Sequence, residues 1–220
     1  MDRVTSSVRP PHDRPAESRR PHGANRFDVF SLKAGRRLTL FGFESYRHWL
    51  RLESDAHVKA LCERPLVIRD TTRPRVVDFW ISSASGSRYL LLLRPPEATV
   101  VATGRELFPA FAAWAREVGS SVENVASAED PSAGRYWHDN WTEVLQHIVS
   151  FRGGVTQAVE GQVSAAIVDR CSVKDAIASL GSIDAEVARA AAYRLVHRGT
   201  HRFVDIGRER LSDDLYIEPA

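Results

Sequence analysis

Asp78 sits in the run Arg75-Val76-Val77-Asp78-Phe79-Trp80-Ile81-Ser82, a carboxylate among apolar strand formers. An isolated ion loses its hydration on burial, so a partner cation or a metal has to replace it. Two kinds of chemistry follow. In the first, Asp78 is one half of an ion pair with Arg94 or Arg75. In the second, it is a hard oxygen ligand for Mg²⁺ in a site that hydrolyses phosphodiesters, where a nearby cation offsets charge developing on the phosphate. Such a site needs further acids, one on the adjacent strand at period two and one from a helix.

The elements around Asp78 can be read from periodicity. Phe43, Tyr46, Trp49, Leu50 and Leu61 recur at helical spacing, with Glu44, Arg47, His48 and Arg51 opposite, which predicts an amphipathic helix broken near Ser54-Asp55. After Pro65 the segments PLVIRD, RVVDFWIS and RYLLLLR predict three strands. The small, glycine-bearing stretch Ser83–Ser87 predicts that the last two pair as an antiparallel hairpin. With the turn centred between Ala84 and Ser85, Asp78 faces position 91, give or take one, and Leu90, Leu92 and Arg94 share a face. Helices are predicted over Leu107–Val118 and Trp141–Phe151.

Residues 1–26 carry Arg3, Arg9, Arg14, Arg19, Arg20 and Arg26, several prolines and little apolar area, which predicts a disordered basic arm. Residues 27–152 then form an α/β domain and residues 153–220 a smaller one. In the latter, Ser172 and Asp175 form a capping box for the helix VKDAIASL, and Asp184 caps a longer helix that Gly199 ends. With the strand HRFVDIG behind them, these helices outline a winged helix-turn-helix. Arg189, Arg194 and Arg198 on its second helix, and His201 and Arg202 at the wing, are the candidate DNA-phosphate contacts. A solvated helix face is the competing reading. Residues 151–220 hold nine Lys/Arg against ten Asp/Glu, so the module is not basic.

Composition sets the outer limits. Across 220 residues, 30 Lys+Arg against 28 Asp+Glu leave a net charge of +2, so nucleic acid must be met by a local patch. Cys62 and Cys171 suggest no disulfide framework, and no apolar run approaches a bilayer span, so a cytoplasmic protein without membrane contact is expected. His138, Asp139 and His147 lack paired metal-ligand spacing, and Trp137 and Trp141 read as packing residues. Arg36, Arg37, Arg47 and Arg51 are further candidates to line a DNA groove.

The run FESYRHWLRLESDAHVKALCERPLVI, followed by RVVDFWIS, YLLLLRP, ASAED, WTEVLQHIVSFRG and AAYRLVHRGTHRFVDIGRERLSDD, resembles the TnsA family, the endonuclease subunit of heteromeric transposases. The likeness covers most of residues 27–217. It implies a PD-(D/E)XK nuclease-like α/β core followed by a small C-terminal winged helix. It also implies Mg²⁺ as cofactor, DNA at transposon ends as substrate, and as partners a DDE-type transposase subunit and an ATP-dependent regulator. By resemblance, Glu44 and Asp78 are the catalytic and metal-binding acids, and Arg94 stands where the family has its lysine. The chain departs from the family pattern in the same strand. Leu92 offers no ligand where an acid or Gln is expected, Arg94 cannot exchange a proton, and Val77 replaces a proline. Glu97, the nearest other acid, has an odd offset that puts it on the wrong face unless Pro95-Pro96 re-aim the chain. The resemblance therefore implies a degenerate nuclease serving DNA or partner binding. The alternatives are an active Mg²⁺-dependent endonuclease cutting 5′ transposon ends, a winged-helix DNA-binding regulator with a ligand-sensing domain, and a docking subunit without DNA contact.

Overall fold

The computed structural model describes residues 11–69, 74–126 and 134–220 of a mixed α/β chain. The chain forms two compact units, residues 1–45 with 58–127, and residues 46–57 with 128–220. The boundary inferred at Gly153-Gly154 thus falls inside the second unit.

In the first unit, β1 (Arg26–Ser31) and β2 (Arg36–Phe41) form an antiparallel hairpin turned at Gly35, whose φ of 65° suits a residue without Cβ. Helix α1 (Phe43–Ser54) follows, with Phe43 to Ser45 in this unit and the rest in the other. Helical spacing would have it carry Leu61. It stops at Ser54 because Asp55 turns the chain, its Oδ1 accepting the His57 N–H at 2.9 Å. Leu61 lies instead on β3 (Val58–Glu63).

Strand β3 is the edge of a four-stranded sheet of order β3-β6-β7-β8. The expected strands PLVIRD and RVVDFWIS are only partly extended. Their inner ends form a short antiparallel pair, β4 (Val67–Ile68) and β5 (Arg75–Val76). Beyond Val77 and Asp78 the chain enters the sheet as β6 (Phe79–Ser83), which pairs with β7 (Gly86–Leu92) through a two-residue turn at Ala84-Ser85. Helices α2 (Pro95–Ala102) and α3 (Pro109–Glu117) lead to β8 (Ser120–Val125), parallel to β7. Trp80, Tyr89 and Leu91 pack with Cys62, Val77 and Phe111 into one buried cluster. Burial pushes the Cys62 thiol up to about 12, so it serves as packing and not as a nucleophile.

Residues 11–25, read from composition as part of a disordered arm, form no helix or strand but are tied to this unit. Ala16 N–H donates to the Arg64 carbonyl (2.8 Å). Arg64 donates through its side chain to the carbonyls of Glu17 and Arg19, and Arg36 Nε donates to that of Asp13. His12 lies edge-on to Trp80 and Tyr89, with its Nε2 2.9 Å from the Tyr89 hydroxyl. Residues 1–10 lie outside the described set.

The second unit holds residues 46–57 of α1 and its following turn, α4 (Trp137–Phe151) and α5 (Gln157–Ala166). After these come β9 (Cys171–Ser172), α6 (Val173–Ala178), α7 (Ala185–His197), β10 (His201–Phe203) and β11 (Tyr216–Pro219). The three strands form one antiparallel sheet with β11 in the middle. The expected caps are present. Ser172 accepts from Asp175 N–H, Asp184 accepts from Glu186 and Val187 N–H, and Gly199 ends α7 at φ 77°. Helix α7 is buried along most of its length, from Ala188 to His197, by α4, α5, α6 and β10. Asn140 of α4, 2% exposed, pins the β10–β11 connection. Its Nδ2 donates to the carbonyls of Ile206 and Glu209 (both 2.6 Å), and its Oδ1 accepts the Leu211 N–H (2.8 Å). Among the described residues no helix is long and apolar enough to cross a membrane.

Candidate functional site

Asp78 lies between the β4–β5 pair and the main sheet, where the strand pattern breaks. Its backbone N–H still donates to the Leu90 carbonyl (3.1 Å), and its Oδ2 accepts the Leu92 N–H at 2.8 Å. Between the two cations offered by the sequence, Arg75 takes the carboxylate, with Nη2 3.1 Å from Oδ2. Arg94 contributes only charge, from an exposed position at the N-cap of α2.

Arg75 is the centre of the site. Its side chain is 5% exposed and every outer nitrogen is spent. Nη2 donates to the Leu92 carbonyl at 2.8 Å and to Asp78, and lies 3.4 Å from Glu97 Oε2. Nε donates to Glu97 Oε1 at 2.9 Å, and Nη1 donates to the Val76 carbonyl. Pro95 and Pro96 bring Glu97 here. They start α2 directly after β7, which turns the third helical residue back toward the strand, where Glu97 Oε2 also accepts the Arg94 N–H at 2.9 Å. Glu97 is therefore re-aimed onto the site, which its strand offset alone did not indicate.

Burial opposes charge on Arg75, but Asp78 and Glu97 outweigh it and raise the guanidinium pKa. Burial raises the Asp78 pKa, and Arg75, the Leu92 N–H and Arg94 only partly reverse this. Two carboxylates and one carbonyl thus face a single nitrogen at 2.8–3.4 Å. That is hydrogen-bond spacing, whereas Mg²⁺ draws oxygens to about 2.0–2.1 Å. The residues as arranged fit a guanidinium and do not fit a divalent ion. Glu44 is exposed in the first turn of α1 and is not a partner of Asp78. Among the described residues no group of three or more His, Cys, Asp or Glu gathers as metal ligands.

The candidate DNA-contact residues of the second unit are bound within it. Arg189 is held by Asp213 (2.8 Å) and Glu186, and Arg194 and Arg198 share the buried Glu160 at 2.8 and 2.6 Å. Arg202 pairs across the sheet with Glu218, and His201 is buried, which lowers its pKa. In the first unit, Arg14, Arg36, Arg37 and Arg64 line a concavity of about 300 Å³ with Glu17 and Glu63. Arg36 is neutralised there by Glu63 (2.6 Å), while Arg14 and Arg37 are exposed. His147 of α4 lies 3.0 Å from the Glu186 carbonyl and stacks at an angle on Phe151, a packing role.

Neither a known family model nor a curated protein sequence matches the chain.

Proposed function

We propose that the chain is a TnsA-like subunit of a DNA transposition complex, whose nuclease-like domain binds transposon-end DNA or its partners rather than cutting. A separate DDE-type transposase and an ATP-dependent regulator complete the complex. The observation that carries the reading is the Arg75 guanidinium bridging Asp78, Glu97 and the Leu92 carbonyl, where the family resemblance implies a metal ion. The guanidinium supplies a permanent positive charge to the acids but has no water to activate and no open coordination position. Further support comes from chain order. Helix α1, the antiparallel strands β3, β6 and β7, helices α2 and α3, the parallel strand β8 and helix α4 precede α5-β9-α6-α7-β10-β11 with β11 central, the order of a winged helix.

Because the cations of α7 are spent on Glu160 and Asp213, phosphates are better met by exposed Arg14 and Arg37. Gel shifts of duplex transposon-end DNA at graded salt test this. Replacing Arg14 and Arg37 with Ala is expected to flatten the log-log salt slope by about 0.9 for each phosphate no longer neutralised, while Arg194→Ala leaves it unchanged. Absence of any shift at low salt would make the chain a docking subunit without DNA contact.

A further inference from the structure

Within the second unit, titratable side chains of three segments converge. On α4, Glu143 and His147 stand one turn apart, and on α7 Glu186, Arg189 and Tyr193 share a face at i, i+3 and i+7. Together with Ser212 and Asp213 of the β10–β11 connection they line a pocket of about 370 Å³. Asp213 and Glu186 hold Arg189, the former at 2.8 Å. His147 Nε2 donates to the Glu186 carbonyl at 3.0 Å, and its ring meets that of Tyr193 edge-on at 5.5 Å.

Two of these groups are uncommitted. Glu143 is exposed and its carboxylate has no partner among the described residues. Tyr193 is only 3% exposed, and its hydroxyl makes no hydrogen bond among the described residues. Yet that oxygen is not sealed from solvent, so what remains open of it faces the pocket. A hydroxyl so placed lacks the partner that burial ordinarily demands. Burial pushes its pKa up, the carboxylates of Asp213, Glu143 and Glu186 add to the rise, and Arg189 only partly opposes it. The group therefore stays a neutral hydroxyl with lone pairs free to accept. Around it three carboxylates meet one guanidinium, an excess of negative charge even with the imidazole protonated.

We propose that this pocket binds a primary ammonium group, the end of a free polyamine or of a lysine side chain, with Glu143 as counter-ion and the Tyr193 hydroxyl as a further acceptor. An ammonium ion has three donors and no acceptor, which matches a carboxylate beside a neutral hydroxyl. An anion would meet the surplus of carboxylates. A guanidinium wants a planar pair of acceptors, and the Asp213 carboxylate that offers one is already taken by Arg189 through Nε and Nη2. A divalent metal is not matched either, because among the described residues no group of three or more His, Cys, Asp or Glu gathers as ligands. The assignment is independent of the transposition reading and of any nuclease chemistry in the other unit.

Titration of the full chain with Nα-acetyl-lysine methylamide and with spermidine tests it, followed by calorimetry and by the NMR shift of the Tyr193 Cζ carbon. Binding of at least one is expected, and the tighter of the two names the source. The Nε-acetylated amide, which has lost the charge, is expected to bind at least about tenfold more weakly than its parent. The Nε-trimethylated amide, which keeps the charge without an N–H donor, is expected to lose about threefold or more. Glu143→Gln is expected to weaken binding by about tenfold, and Tyr193→Phe, which keeps the ring and its packing, by about threefold or more. Glu117→Gln, at an exposed acid of the first unit, leaves it unchanged. No response to either amine, or undiminished affinity in both Glu143→Gln and Tyr193→Phe, would overturn the assignment. So would a trimethylated amide that binds as well as its parent, or displacement of the amine by Mg²⁺ at equal concentration, each of which marks charge attraction without selectivity for ammonium.

Discussion

Arg75 shows how one side chain decides what two acids are for. Without it, Asp78 and Glu97 would be two mostly buried carboxylates on either side of the Leu92 carbonyl, repelling one another. With it, the three groups form a closed hydrogen-bonded set. Breaking a buried pair by removing one partner is far more costly than never having built it. Arg75→Met is therefore expected to destabilise the first unit by about 3 kcal/mol in urea unfolding, and a loss below about 1 kcal/mol would contradict the role given to it. Asn140 makes a comparable case in the second unit. Asn140→Ala leaves the Ile206 and Glu209 carbonyls and the Leu211 N–H without their buried partner. A loss of about 2–3 kcal/mol is expected, with hydrogen exchange rising first at Leu211.

Between residues and the whole chain, several elements followed from local pattern and others did not. The hairpin of β6 and β7, with its turn at Ala84-Ser85, was legible because alternation and a small polar turn specify register together. The caps at Ser172 and Asp184 were legible because capping is an interaction over three residues. The break of α1 at Ser54-Asp55 was legible too, but the strand beyond it was not, since Leu61 fits helical spacing by coincidence while it lies on β3. The placement of Glu97 was legible only as a condition on Pro95-Pro96, because it depends on α2 starting at Pro95, a change of period that strand counting alone does not register. The hydrogen bonds of residues 13–19 run largely through backbone carbonyls, and composition carries no trace of those.

That arm also carries a pH response. Burial holds the His12 pKa below the ordinary imidazole value, so folding favours the neutral ring against Trp80 and Tyr89. Its contribution is complete above about pH 6.5 and is lost as pH falls through the folded-state value. Protection of the Ala16 amide, corrected for intrinsic exchange, is expected to drop between about pH 7.5 and about pH 5.5 and to become pH-insensitive in His12→Phe. Constant protection in the native chain would show that His12 does not fasten the arm.

At the scale of the molecule, charge is arranged to be consumed internally. The net charge is only +2, and Glu63, Glu160 and Asp213 each hold at least one arginine. The family resemblance directs attention to Asp78 and its strand. It carries no sign that the cation beside that acid belongs to the chain, because Arg75 and Asp78 are brought together by the β4–β5 pair and not by any motif.

The central claim is that this cation leaves the first unit without metal-dependent cleavage. A nicking assay on transposon-end DNA in a supercoiled plasmid, with Mg²⁺ or Mn²⁺ and purified full-length chain, addresses it most directly. The expected result is no cleavage above that given by Asp78→Ala. Robust nicking by the native chain that requires the divalent ion and disappears in Asp78→Ala would contradict the account.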